Sequence, residues 1–213
     1  MTPQADTSNR MREPQRTRGK QRVKLLLDAA EALLSIAQDV DISLAMIAEK
    51  ADVPLPSVYH FFRNRDSVLI ALAQRYHTHL AAFAGVPLDP PPETWQDIVC
   101  RRQSMGVAFL NKHPAALRLF MGAGVSVEVR TLDLRGNETL SQRRTDEFQY
   151  WFDCAHIPKL KLHLALSIGL ADGIWAISWT QTGLITPDYL RESQRASIAY
   201  LRCYLPEYLP HKS

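Results

Sequence analysis

Ser57, Tyr59, His60 and Arg63 lie within seven consecutive residues, and each carries a group able to hydrogen-bond a base edge or a phosphate oxygen. Interleaved with them are Val58, Phe61 and Phe62, apolar residues that supply the opposite side of the segment if it is helical. A short helix with one polar and one apolar side suits insertion into a DNA major groove, because one side packs and the other reads. The inventory offers little to covalent or metal chemistry. There is no Gly-x-Ser-x-Gly elbow, His-Glu-x-x-His zinc helix, phosphate-cradling Gly-Lys-Ser/Thr loop or dinucleotide glycine fingerprint. His77 and His79 stand two apart, so on a helix they face different sides and do not readily share a metal. Gly122, Ala123 and Gly124 read as a helix-ending loop. Cys100, Cys154 and Cys203 are odd in number and far apart, which fits reduced, buried thiols better than a disulfide framework. No catalytic residue, metal, cofactor or enzymatic activity is expected.

The elements that must position the polar cluster follow from periodicity. Residues 1–20 are polar and arginine-rich, hold Pro3 and Pro14, and show no hydrophobic period, so they read as a flexible basic arm. From Arg22 onward Val23, Leu26, Leu27, Ala30, Leu34 and Ala37 recur at helical spacing and predict a first helix of about four turns. Ser43 is a good N-cap for a second helix bearing Leu44, Ile47, Ala48 and Ala51. After a break at Asp52, Val53 and Pro54, a third helix is expected over 55–62, since proline is tolerated in a first turn where its missing amide has no intrahelical partner. This is helix-turn-helix spacing, the third helix being the candidate for the groove. Leu69, Leu72, Ala73, Tyr76, Leu80 and Phe83 mark a fourth helix ending near Gly85, and the proline-rich stretch 86–94 reads as a linker or domain boundary. Further helices are expected over 95–111, 114–121, 131–153, 159–182 and 187–205. The fold class is therefore all-α, with about nine helices and no sheet. It divides into a basic arm (1–20), a helix-turn-helix DNA-binding domain (21–66), a connecting helix (67–85) and an effector-binding and dimerisation domain (86–213).

Ile47-Ala48-Glu49-Lys50-Ala51-Asp52-Val53, followed by Ser57-Val58-Tyr59-His60-Phe61-Phe62-Arg63-Asn64-Arg65-Asp66, resembles the signature of the tetracycline-repressor (TetR) family of bacterial transcriptional regulators. The resemblance covers residues 23 to about 72. It implies that Tyr59 touches the DNA backbone and that Arg65, where the family usually has lysine, clamps a phosphate. Two departures stand out: Asp52 where many members have glycine in the turn, and Pro54 where many have a serine or threonine cap. Leu55 and Pro56 bring no side-chain donor and can offer only apolar contact to thymine methyls, so base reading falls largely to Ser57, His60 and Tyr59. His60 is equally suited to a base edge or to a phosphate or solvent. Ser43, Leu55, Pro56, Ser57, Tyr59, His60, Arg63 and Arg65 are thus the expected DNA-contacting residues.

One helix-turn-helix makes few contacts, so a dimer reading a palindrome on double-stranded DNA is expected. Its best candidate interface is the C-terminal helix pair: small residues Gly169 and Gly173 with Ala165, Ser167, Ala171 and Ala176, a larger stripe of Leu160, Leu164, Ile168, Trp175 and Trp179, and Ile198, Leu201 and Leu205 on the closing helix. The family resemblance implies the same arrangement. The later region is rich in aromatics, and Phe109, His113, Phe120, Trp151, Trp175 and Trp179 are the candidate lining of a small-molecule pocket. A largely apolar, uncharged or weakly acidic effector would then release a repressor from its operator. The alternative is a DNA-bound protein-interaction factor or activator without a small ligand.

Composition agrees with this reading. Apolar residues at 46% and charged residues at 22% exclude global disorder and fibrous repeats. The net charge of +3 is unevenly spread: Arg10, Arg12, Arg16, Arg18, Lys20, Arg22 and Lys24 face only Asp6 and Glu13 in the first two dozen residues. The longest apolar tract is interrupted by Asp172 and no signal-type stretch follows the basic start, so a cytoplasmic location without a membrane partner is expected.

Overall fold

The computed structural model describes residues 12–36, 41–122 and 127–212, so the first eleven residues of the expected arm lie outside the described residues. Among the described residues nine helices follow one another: α1 (Arg12–Ile36), α2 (Leu44–Lys50), α3 (Leu55–Phe61), α4 (Arg65–Ala84), α5 (Trp95–Lys112), α6 (Pro114–Met121), α7 (Val127–Trp151), α8 (Leu160–Thr182) and α9 (Pro187–Leu201). The only extended pairing among them is an isolated antiparallel bridge between Phe152 and His211.

The chain divides into two compact units, Met1–Leu72 and Ala73–Ser213, with the division inside α4. In the first, the stripe expected of α1 is real: Leu26 and Ala30 are fully buried and Leu34 nearly so. Ile47, Val58, Leu69 and Leu72 are also inaccessible, and α2 contacts both α1 and α3. One expectation fails here. α1 begins at Arg12 rather than Arg22, so its first turns fall in the span assigned to the arm. Arginine, glutamate, glutamine and lysine are good helix formers, and a helix can run on without an apolar stripe once its later turns are docked. Pro14 is accommodated because it falls in the first turn.

In the second unit α8 and α9 pair closely, and α5, α6 and α7 pack around them. Trp95, Ile98, Phe148, Phe152, Leu164 and Leu201 form its core. Trp95 also donates its indole N–H to the carbonyl of Pro206 at 2.9 Å. The proline-rich stretch is no free linker, since Leu88 is buried in this same core. The closing helix stops at Leu201 rather than 205; Leu201 and Leu205 are buried within the chain and are not available to a partner. The face of α8 that carries Gly169 and Gly173 is open. Leu162, Leu166, Leu170 and Ile177 are 42–52% exposed, and a Cβ added at Gly169 or Gly173 would meet nothing. Ser167, Ala171, Leu160, Leu164 and Trp175, assigned to the interface from the sequence, are instead buried inside the unit.

Candidate nucleic-acid interface and effector cavity

Ser43 caps α2 as expected, its hydroxyl oxygen accepting the Met46 amide at 3.2 Å. The helix ends in a Schellman arrangement: the Val53 amide reaches the Ala48 carbonyl at 2.9 Å and the Asp52 amide the Glu49 carbonyl at 3.1 Å. Pro54 then caps α3, with Pro56 in its first turn, where no intrahelical amide is lost. Val58 and Phe62 turn inward while Pro56, Tyr59, His60 and Arg63 are exposed, Tyr59 by 58%. Leu55 and Ser57 are half-buried. Phe61 is half-buried too, beside Gly19 of α1 and edge-on to His60. The polar side of α3 foreseen in the sequence therefore exists, with its apolar residues anchored behind it.

Two cations at this face have specific partners. Arg22 of α1 donates to the Ser57 hydroxyl at 3.2 Å, which brings a guanidinium to the exposed side of α3. Sequence reasoning counted Arg22 only as part of the basic run; nothing local connects residues thirty-five apart. Arg65 pairs with Asp41 at 2.6 Å, so part of its guanidinium is already engaged. It opens α4 directly behind Asn64, whose side-chain oxygen accepts the Ser67 amide at 2.9 Å while Ser67 Oγ accepts the Asn64 amide at 3.2 Å. This reciprocal cap starts the helix four residues before its first apolar marker.

The second unit holds a partly open cavity of about 130 Å³. Its walls are mostly apolar, with Leu80, Phe83, Val99, Leu140, Leu164 and Ile168 prominent, and it also holds four charged side chains: Arg102, Arg144, Glu147 and Asp172. Arg102 is 4% exposed and pairs with Glu147, 10% exposed. Its Nε reaches both carboxylate oxygens, at 3.0 and 3.1 Å, and its Nη2 also donates to the Val86 carbonyl at 2.7 Å. Asn137 donates to Asp172 at 2.7 Å. Gln103 and Trp175 link the wall to α9: the indole N–H donates to Ser193 Oγ at 2.8 Å, and the Gln103 amide donates to Ser197 Oγ at 2.8 Å.

Of the six pocket residues expected from the sequence, Phe120 and Trp175 line this cavity. Phe109 and His113 meet at a tilt with ring centroids 4.5 Å apart and join Tyr76 in an aromatic cluster that touches Phe120 from outside the lining. Trp151 borders a separate depression beyond the Arg102–Glu147 pair. The Trp179 ring lies beside Gly122, at the end of α6.

By sequence the chain matches no protein-family model and no curated protein. Its structure does match solved ones across most of its length. A TetR transcriptional regulator from Rhodococcus superposes with a TM-score of 0.64 at 17% identity, covering 86% of this chain and 97% of that one. A TetR-family transcriptional regulator from Streptomyces coelicolor gives 0.62 at 21% identity, covering 87% and 98%. SmeT, the repressor of the Stenotrophomonas maltophilia multidrug efflux pump SmeDEF, gives 0.60 at 18%, covering 85% and 89%. The chain has the TetR-regulator fold.

Within the TetR frame the two departures acquire a structural meaning. Asp52 holds a left-handed backbone, φ 51°, the conformation glycine adopts without cost and aspartate tolerates better than most residues. Pro54 supplies no side-chain cap to α3, but its carbonyl accepts the amides of Ser57 and Val58 at 2.8 and 3.3 Å. α8 of this TetR-like bundle is long and apolar enough to cross a membrane by composition, yet a third of its most apolar window is buried inside the unit. The remaining apolar face is open to a partner.

Proposed function

We propose that this chain is a sequence-specific DNA-binding transcriptional regulator working as a cytoplasmic homodimer, most simply a repressor that a small, largely apolar effector releases from a palindromic operator. The observation that carries this reading is the α3 face: Tyr59 and His60 are exposed on α3 and Arg63 just beyond its end, while Val58 and Phe62 turn inward. Tyr59 and Arg63 supply backbone contacts, Ser57 and His60 meet base edges, and Leu55 and Pro56 give apolar contact to thymine methyls. Ser43 lends its hydroxyl proton to a phosphate, and Arg65 offers the guanidinium donors that Asp41 leaves open. Arg22 joins them as a further cation.

Dimerisation through the open stripe of α8 supports two such heads on one operator, because burying Leu162, Leu166, Leu170 and Ile177 against a second copy removes apolar surface from water. The cavity supports an effector. α4 carries Arg65 at its start and His77, Leu80 and Phe83 in the cavity wall near its end, so a ligand that prefers a displaced α4 shifts the population away from the DNA-competent form. A ligand with equal affinity for both forms would shift nothing.

The test is fluorescence anisotropy of the purified protein on duplex DNA from the region preceding its own coding sequence, with Tyr59→Ala and Arg63→Ala variants in parallel. Saturable, salt-sensitive binding that both variants lose while remaining dimeric in sedimentation supports the proposal. Dissociation of the dimer in those variants would contradict the division of labour between α3 and α8.

A further inference from the structure

Arg144 lines the cavity with more hydrogen-bond donors than the protein satisfies. A guanidinium carries five N–H donors. Among the described residues its only hydrogen bond is from Nη1 to the Ile98 carbonyl at 3.1 Å. Its ion-pair contact, with Glu147, stretches to 3.7 Å from Nε. That carboxylate is already engaged by Arg102, through Nε to both oxygens and Nη2 to one. Arg102, Arg144 and Glu147 therefore leave one positive charge over at this corner. Burial, opposed by Glu147 and assisted by Arg102, lowers the Arg144 pKa to about 10, so the group is still charged at neutral pH. The other carboxylate of the cavity, Asp172, is held by Asn137, which lies seven residues before Arg144 on α7, or roughly 10 Å along the helix axis. The walls between are aliphatic and aromatic, and the volume of about 130 Å³ is close to that of a dry cavity of about 150 Å³ that admits benzene.

We infer that the effector is a compact lipophilic monocarboxylate, about one ring or a branched chain of similar bulk, whose carboxylate pairs with Arg144 while its body fills the apolar space toward Leu140 and Leu164. This rests on the effector reading above and narrows it. A guanidinium and a carboxylate meet as a planar fork, so pairing supplies the acceptors Arg144 lacks and compensates its charge in a half-buried site. A neutral isostere leaves the same donors unmet, and an amine adds a second uncompensated cation beside two arginines.

Benzoate, cyclohexanecarboxylate, benzamide and benzylamine, titrated into the full chain at constant ionic strength, provide the test, with inorganic phosphate as a control for surface anion binding. Thermal midpoint and tryptophan fluorescence are the readouts, since Trp175 lines the cavity. The two carboxylates should raise the midpoint and saturate, at least on the order of tenfold more tightly than the amide or the amine. Arg144→Gln should lose that preference, and Arg144→Lys should keep part of it. If Arg144→Gln does not fold, the ranking of acid over amide in the wild type and the partial retention in Arg144→Lys decide. Equal binding of benzamide and benzoate would overturn the carboxylate assignment and leave the effector reading standing. Undiminished benzoate binding in Arg144→Gln, or an equal shift from phosphate, would overturn it too. Silence from all four organic probes overturns it, and a neutral apolar compound that then dissociates operator DNA would keep the broader reading alive.

Discussion

The two candidate sites of this chain are built on opposite plans. The α3 face gathers Ser43 to Arg65 from one continuous stretch and presents charged and polar groups to water, where each costs little to expose. The cavity takes its lining from α4, α5, α6, α7 and α8 and sets one buried arginine, one half-buried arginine and two half-buried carboxylates among largely apolar walls. A surface site can be assembled by local turn chemistry alone. A buried one must be compensated internally, and Arg102 with Glu147 does this almost completely while Arg144 does not. The contrast teaches that the α3 face can change without unsettling the fold, whereas the cavity is part of what holds its unit together.

The largest expected effect presses on that second half. Phe148→Ala removes a fully buried ring from the core of the second unit and should cost about 3–5 kcal/mol in chemical denaturation; a loss under about 1 kcal/mol would mean the unit collapses around the gap. Next, Tyr59→Ala combined with His60→Ala should weaken operator binding on the order of 100-fold while moving stability by no more than about 0.5 kcal/mol. A comparable loss of stability would erase the proposed contrast between the sites. Gly136→Ala should also destabilise, by roughly 1–3 kcal/mol, as overpacking does, although glycine to alanine inside a helix ordinarily gains about 1 kcal/mol. The reason is local: a Cβ at Gly136 would land on the His77 ring, which lines the cavity. A gain in thermal midpoint would show that His77 simply swings aside. In the first unit Asp52→Gly should stabilise by up to about 1 kcal/mol, by relieving the left-handed backbone. No gain would mean that the aspartate side chain offsets its own strain.

The smallest effect concerns the thiols. Burial, with Asp153 adding to it, raises the Cys154 pKa to about 11, so the folded state keeps this proton longer than the unfolded state. Its contribution to stability is present below pH 9 and is lost as the pH rises through about 11. Iodoacetamide on the native protein should therefore label exposed Cys203 and spare Cys154. Mass spectrometry of the labelled peptides checks the order.

How much of this was legible in the sequence follows the same division. The Ser43 cap, the two prolines at the start of α3 and the inward Val58 are consequences of neighbours three or four residues apart, and periodicity reaches that far. The left-handed Asp52 was visible only as an oddity of composition until the turn was seen. Arg22 with Ser57, Asp41 with Arg65 and Arg102 with Glu147 are long-range or loop-borne pairs that no spacing rule announces. The early start of α1 was hidden because its first turns have helix-forming residues without an apolar stripe. Phe120 and Trp175 line the cavity and Phe109, His113, Trp151 and Trp179 do not, because which side of a helix faces a gap is decided by its packing partners. The same limit applies to α8: the two apolar sides are evident in the sequence, but not that the open one, with Gly169 and Gly173, also carries Leu162, Leu166, Leu170 and Ile177, nor that the stripe through Leu164 and Trp175 is interior.

Selection of random duplex DNA by the full chain, followed by sequencing of the bound pool, tests the central claim most directly. The selected pool should be enriched in an inverted repeat whose half-sites lie one helical turn or a whole multiple apart, an enrichment that the Tyr59→Ala, His60→Ala variant fails to reproduce. A folded, dimeric sample that enriches nothing, or a variant that enriches the same repeat, would contradict the assignment of α3 as the reading helix.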